Sequence, residues 1–181
     1  MKWFIASDLH GSAQYGKLVL DAYDREKADR MLLLGDILNP GPRNGIPEGY
    51  APMALADMLN DRKDDILAVR GNCDSEIDQM LLSFPMTSDY TILSLDKRIV
   101  FATHGHIFHR DRLPPLHEGD ILLHGHTHRS ACGHEGQFFY CNPGSPTFPF
   151  DGHRGYLILD QDRISLRTLD GINVNEITLE S

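Results

Sequence analysis

The chain has 181 residues, 41% of them hydrophobic, and 17 Lys+Arg against 26 Asp+Glu give a formal net charge of −9. That length suits a single domain spanning residues 1–181 with a core that needs no disulfides, and the composition excludes disorder, collagen and coiled coil. An acidic surface without a Lys/Arg cluster argues against a nucleic-acid partner, and no apolar run approaches the roughly 20 residues of a membrane span.

Residues 3–6 are short, apolar and followed by Ser, Asp and His, the pattern of a buried strand. Tyr15, Leu18, Val19, Ala22 and Tyr23 then recur at helical spacing. Residues 31–34 read as a second strand. Residues 39–52 hold four Pro and three Gly, so they form a loop, and its place after a strand makes it a candidate site wall. Helical spacing returns at Ala51, Ala54, Leu55, Met58 and Leu59. Residues 66–69 are a third strand. Ser75-x-x-Asp78 resembles a capping box and opens a third helix with Ile77, Met80 and Leu81 inside it.

Alternating strands and helices imply an α/β fold with parallel pairing. The second half differs. Residues 91–95 and 98–103 flank Asp96-Lys97 as a hairpin, and residues 121–124 form another apolar strip. Residues 156–160 and 163–169 suggest a second hairpin across Gln161-Asp162, and 174–179 a last strand. Two packed sheets with helices outside would hold both halves.

Five strand-to-loop junctions carry possible metal ligands: Asp8-Leu-His10, Gly35-Asp36, Gly71-Asn72-Cys73-Asp74, His104-Gly-His106 and Gly125-His126-Thr-His128. Loops beyond the carboxyl ends of strands are where α/β sheets bind ligands. Asp-x-His is expected about once by chance at this composition and says little alone. Gly-His-x-His is expected about 0.05 times and Gly-Asn-x-Asp about 0.07 times. A lone strand-end Asp is usually a cap, and a lone buried His a satisfied core group. Nothing about folding requires five such junctions in order. Carboxylates, imidazoles and an amide together suit borderline divalent ions. No Cys-x-x-Cys supports a zinc ribbon, and no Gly-x-Ser-x-Gly supports a serine hydrolase.

These motifs, in this order, resemble the calcineurin-like metallophosphoesterase superfamily. The stretches GDILNPGPRNGIPEGYAP and AVRGNCDSEIDQML narrow the resemblance to its YfcE-type bacterial phosphodiesterases. The resemblance implies a four-layer αββα sandwich with two mixed sheets. It implies two divalent ions, Mn foremost, with Fe, Zn, Co or Ni as alternatives. Asp8, His10, Asp36 and His128 would hold the first ion. Asp36 would bridge to the second, shared with Asn72, His104 and His126. The implied reaction is hydrolysis of a small phosphate diester by in-line attack of a metal-bridging hydroxide, with Asn72, Cys73, Asp74 and His104 in the catalytic set. Two ions bring +4 and Asp8 and Asp36 return −2, so an otherwise acidic protein would present a centre of about +2 to phosphate.

One position departs from the superfamily pattern: Cys73 stands where a His is common, between Asn72 and Asp74. A thiol titrates near 8.5 and donates hydrogen bonds poorly, which favours diesters with good leaving groups over monoesters. Asp74 is expected to orient the site, through a histidine. Arg43 on the Pro/Gly loop and His106 are candidate substrate contacts, alongside Cys73. Asn142-Pro-Gly-Ser145 reads as a tight turn under the site. His109, His117, His134 and His153 are read as surface residues. Cys132 and Cys141 could face each other across strands. Three cysteines and a start, MKWFIASDLH, without a signal-peptide core point to free thiols in the cytoplasm. The family resemblance is compatible with a homo-oligomer. Alternatives are a monoesterase or cyclic-nucleotide phosphodiesterase on the same site, or a non-catalytic scaffold like the retromer subunit of this fold. Such a scaffold can lose ligands, whereas all seven positions are filled here.

Overall fold

Strand β1 (Lys2–Ala6) turns Phe4 and Ala6 to one side and Ile5 to the other. Successive strand side chains face opposite ways, so a strand apolar on both faces must be covered on both. Strand β2 (Arg30–Leu33) repeats the pattern, with Met31 and Leu33 on one side and Leu32 on the other. The structure, a computed structural model, describes residues 1–179. In it, Phe4, Ala6, Met31 and Leu33 pack under α1 (Ala13–Glu26) and α2 (Pro52–Asn60) through Val19, Tyr23, Leu55 and Leu59. Ile5 and Leu32 meet β5 (Arg98–Thr103) and β6 (Ile121–Leu123) through Val100, Ala102, Ile121 and Leu123.

The first sheet has six strands. β1 pairs in parallel with β2, and β2 with β3 (Ile66–Ala68). β9 (Gly155–Asp160), β10 (Arg163–Thr168) and β11 (Asn173–Thr178) extend the other side antiparallel, in the order β11-β10-β9-β1-β2-β3. The second sheet has five, β4 (Tyr90–Leu95), β5, β6, β8 (Phe138–Asn142) and β7 (Ala131–Glu135), in that order. Both sheets mix parallel and antiparallel pairs. The parallel strands β1, β2, β3, β5 and β6 carry the five motif junctions at their carboxyl ends.

Three features depart from the sequence expectations. The β7–β8 hairpin was not expected from the sequence: β7 carries Gly133, His134 and Glu135, which break an apolar pattern. Helix α3 (Glu76–Leu81) starts on the Ser75/Asp78 capping box, but Ile77 and Met80 face solvent. The fourth layer, outside the second sheet, is loop rather than helix. Phe108 and Leu116 of that loop cover Phe101, Leu122 and Phe138. The consecutive Pro114 and Pro115 there remove two amide donors and bar a helix. Among the described residues, no helix follows Leu81.

Candidate metal centre

Five of the junction residues have left-handed backbone conformations: Asp8 (φ 58°), His10 (50°), Asp36 (52°), His126 (67°) and His128 (55°). Such angles cost a non-glycine residue on the order of 1 kcal/mol or more and gather at functional sites. Only three other non-glycine residues, Lys27, Asp96 and Gln161, share them among the described residues. The motif glycines make room for the turns. A Cβ on Gly125 would collide with Ser7 Oγ, and one on Gly71 with the Asp36 carboxylate.

The sharp turns bring side chains from all five junctions together. His128 Nε2 lies 3.2 Å from Asp8 Oδ1, and His10 Nε2 lies 3.6 Å from Asp8 Oδ1 and 3.8 Å from Asp36 Oδ2. His104 Nε2 lies 3.5 Å from Asp36 Oδ2 and 3.1 Å from Asn72 Oδ1. The Nδ1–H of His10 donates to the Asn39 carbonyl (2.9 Å), and that of His104 to the Leu34 carbonyl (2.7 Å). In the neutral ring with Nδ1 protonated, each Nε2 would present a lone pair to a cation bound there. The Nε2 atoms of His10 and His128 stand 3.0 Å apart. Asp8 Oδ1 is buried without a hydrogen-bond partner. Facing nitrogens and an orphaned carboxylate oxygen are groups that a cation satisfies, and the donor set matches divalent metals. Asp8, His10 and His128 form one close group, Asp8, Asp36 and His104 another, and His10, Asp36 and Cys73 a third, each within 4.8 Å.

The electrostatics follow from this crowding. Burial opposes ionisation of Asp8, but His10, His128 and His104 outweigh it and hold the carboxyl far below its usual range. Burial works against protonated His104 too, yet Asp36 and Asp8 raise its pKa to about 9. Burial and the neighbouring His104 lower His126 to about 4. Burial and the Asp36 carboxylate push the Cys73 thiol far up, so it stays protonated instead of titrating near 8.5.

The family model of the calcineurin-like phosphoesterase superfamily domain matches residues 1–163. The chain belongs to the calcineurin-like phosphoesterase superfamily. It is 45% identical over 171 residues to phosphodiesterase YfcE of Escherichia coli K12, covering 94% of this chain and 93% of that one. The solved structure of Yfce, a phosphoesterase from E. coli, superposes with a TM-score of 0.96 at 42% identity, covering 99% of this chain and 100% of the other. A zinc complex of Vps29 from Entamoeba histolytica shares the fold alone, with a TM-score of 0.65 at 17% identity over 99% of this chain and 100% of that one.

The remaining expected positions sort themselves around this superfamily centre. A cleft of about 560 Å³ opens on it, lined by Asp36, Arg43, Asn72, Cys73, His126 and Phe150 among others. Arg43 is thus where a substrate contact could be. His106 borders a neighbouring hollow and not this cleft. Asp74 does not act through a histidine: its carboxylate accepts the backbone N–H groups of Asp36 (2.8 Å), Ile37 (2.8 Å) and Gly71 (2.7 Å). It pins the β2 and β3 loops together from below. Cys73 gives its backbone N–H to Asp36 Oδ1 (2.8 Å), and its sulfur accepts from Asn72 Nδ2 (3.2 Å). Cys132 and Cys141 do face each other in the β7–β8 register, as free thiols. His117, His134 and His153 are exposed, and His109 is half-buried.

The turn after β8 does more than the sequence suggested. Asn142 Nδ2 donates to the Gly125 carbonyl (2.9 Å) and Thr127 Oγ1 (3.1 Å), bracing the loop between His126 and His128. Ser145 Oγ–H donates to the Asp8 carbonyl (2.8 Å) and Thr147 Oγ1–H to the Leu9 carbonyl (2.8 Å). The Asp151 carboxylate accepts from the backbone N–H and the hydroxyl of Ser130, just beyond His128. Two aromatics also escaped the sequence reading. Phe148 lies nearly parallel to the His128 ring and 5.5 Å from that of His10, and Phe150 stands exposed at the cleft mouth. Only their closeness to the tight Asn142–Ser145 turn hinted at them.

Proposed function

We propose that the chain is a metal-dependent phosphodiesterase holding two divalent ions with Asp36 between them. The observation that carries this reading is the convergence of three imidazole Nε2 atoms on Asp8 and Asp36, with one oxygen of Asp8 buried and unpartnered. Asp8, His10 and His128 would hold one ion with Asp36. Asn72, His104 and His126 would hold the other, again with Asp36. Ions bound there supply Lewis-acid activation of water and offset the charge that builds on the phosphoryl oxygens.

The chain's own residues do the rest. The carbonyls of Asn39 and Leu34 fix the rings of His10 and His104, and Asp74 fixes the backbone of Asp36. Phe148 shields the buried side of His10 and His128 from water. Arg43 borders the entry, where a guanidinium can pair with a phosphate oxygen. The neutral Cys73 supports the diester preference, because a dianionic monoester loses more than a monoanionic diester when no cationic imidazole faces it. Carboxylate, imidazole and amide donors suit Mn, with Fe, Zn, Co and Ni also compatible. Three free thiols support a reducing, cytoplasmic setting.

The test is hydrolysis of bis(p-nitrophenyl) phosphate by chelator-stripped protein, with and without Mn²⁺. Metal-restored activity that an Asp36→Asn variant lacks is the expected result. Silence with Mn, Co, Ni and Zn alike would remove the enzymatic reading and favour a scaffold.

A further inference from the structure

The metal centre lies between two hollows. The cleft described above is one. A second, of about 300 Å³, is walled by His106, His109, Arg110, His124 and Tyr140. His126 and Thr127 line both, so the strip between them is a ridge carrying one candidate ligand. A monoester has one organic arm and would need one hollow. A diester has two, leaving phosphorus in different directions.

We propose that the smaller hollow receives the second ester arm of the substrate, and that this arm is a planar ring with hydrogen-bonding groups, of the nucleobase class. The proposal rests on the diesterase reading above and narrows its substrate. The walls give the reasons. His106 and Tyr140 line the hollow with rings: His106 sits 5.4 Å from the His104 ring, and Tyr140 lies 4.7 Å from the buried His124 ring, with the Arg110 guanidinium 5.8 Å from its centroid. Flat walls suit a flat guest. The hollow is also rimmed by polar groups: His109, Arg110, Asp111 and Thr127 line it. A guest with ring donors and acceptors can pair with them, and an alkyl arm cannot. A third metal is a poorer occupant, since these histidines form no close ligand group among the described residues.

The experiment compares kcat/KM of the Mn-loaded full chain on two diesters with a common leaving group: methyl p-nitrophenyl phosphate and the p-nitrophenyl ester of a nucleoside 5′-phosphate. The wild type should prefer the nucleoside ester by about tenfold or more, the scale of one base stacked on side-chain rings. His106→Ala should cut that preference about tenfold, mainly through KM, and His109→Ala on the rim about threefold. Metal content is measured for each variant. If His106→Ala loses metal, the ratio in His109→Ala decides. Equal rates on the two diesters in the wild type would overturn the subsite. So would variants that lower both substrates equally, or a preference abolished by Phe150→Ala instead, which would put the arm in the larger cleft. A metal-loaded wild type inactive on every diester would overturn the diesterase reading itself, and the subsite with it.

Discussion

The two ligand groups proposed for the metal centre differ in their access to water. Asp8 and His10 are 0% exposed and His128 5%, whereas in the other group His104 is buried but Asn72 is exposed and His126 half-buried on the cleft wall. The closed half is braced from behind by Ser145, Thr147 and Phe148. The open half has the cleft for a wall. A dry site strengthens every charge interaction inside it and slows exchange, and a wet one weakens both. On the proposed two-ion reading, one half would keep its ion and the other would meet substrate, with Asp36 shared by both.

The largest expected effect breaks both halves at once. Asp36→Asn should lower kcat/KM on bis(p-nitrophenyl) phosphate by about 10³-fold or more, the several kcal/mol attributed to metal stabilisation of charge. Near-normal turnover would separate Asp36 from the chemistry. Next come the halves singly. His10→Ala should lose the tightly held ion, while His126→Ala should keep it and lose only the weaker one, read by metal analysis after gel filtration. Equal losses would dissolve the distinction. Asn142→Ala leaves every ligand in place and loosens the His126–His128 loop, so metal affinity should fall about 10–100-fold.

A smaller effect comes from a region away from the centre. Glu26 accepts from Lys2, Tyr156 and Arg167, and despite its burial these partners hold its pKa below the usual value. A carboxyl depressed in the folded state stabilises above its unfolded pKa and loses that contribution as pH falls through the folded one. Glu26→Gln should cost about 2 kcal/mol at pH 7 without touching the rate, and the gap to wild type should close as pH falls through the depressed pKa of Glu26. A gap that persists in acid would point to packing rather than charge. The smallest effect is a gain: Cys73→His should raise monoester hydrolysis a few-fold, to about tenfold. No gain would leave the thiol as a space-filler beside Gly41.

Much of the candidate centre is legible in the sequence because its candidate ligands sit where apolar strips stop. Strands β1, β2, β5 and β6 are buried on both faces and the edge strand β3 leaves only Leu67 exposed, so each reads as a continuous apolar run ended by a polar motif. What braces the ligands is not legible. Ser145 and Thr147 act from more than a hundred residues away on Asp8 and Leu9, Asn142 reaches back past the β7–β8 hairpin to Gly125 and Thr127, and no local pattern encodes either. β7 escaped because its residues are half-buried beside a Gly136 turn, not alternating. Ile77 and Met80 follow helical spacing yet point outward, because α3 is six residues long and buries Asp78 in its capping box instead. Cys73 was visible as a departure, but the upward shift of its thiol comes from burial and from Asp36, which a turn 37 residues away supplies.

The most direct test of the bridged centre is metal stoichiometry. Chelator-stripped protein is titrated with Mn²⁺ by calorimetry and the bound metal counted after desalting. Two ions per chain, one tight and one weak, with neither held tightly in Asp36→Asn, is the expected result. A single ion in the wild type, or two that survive the loss of Asp36 unchanged, would contradict it.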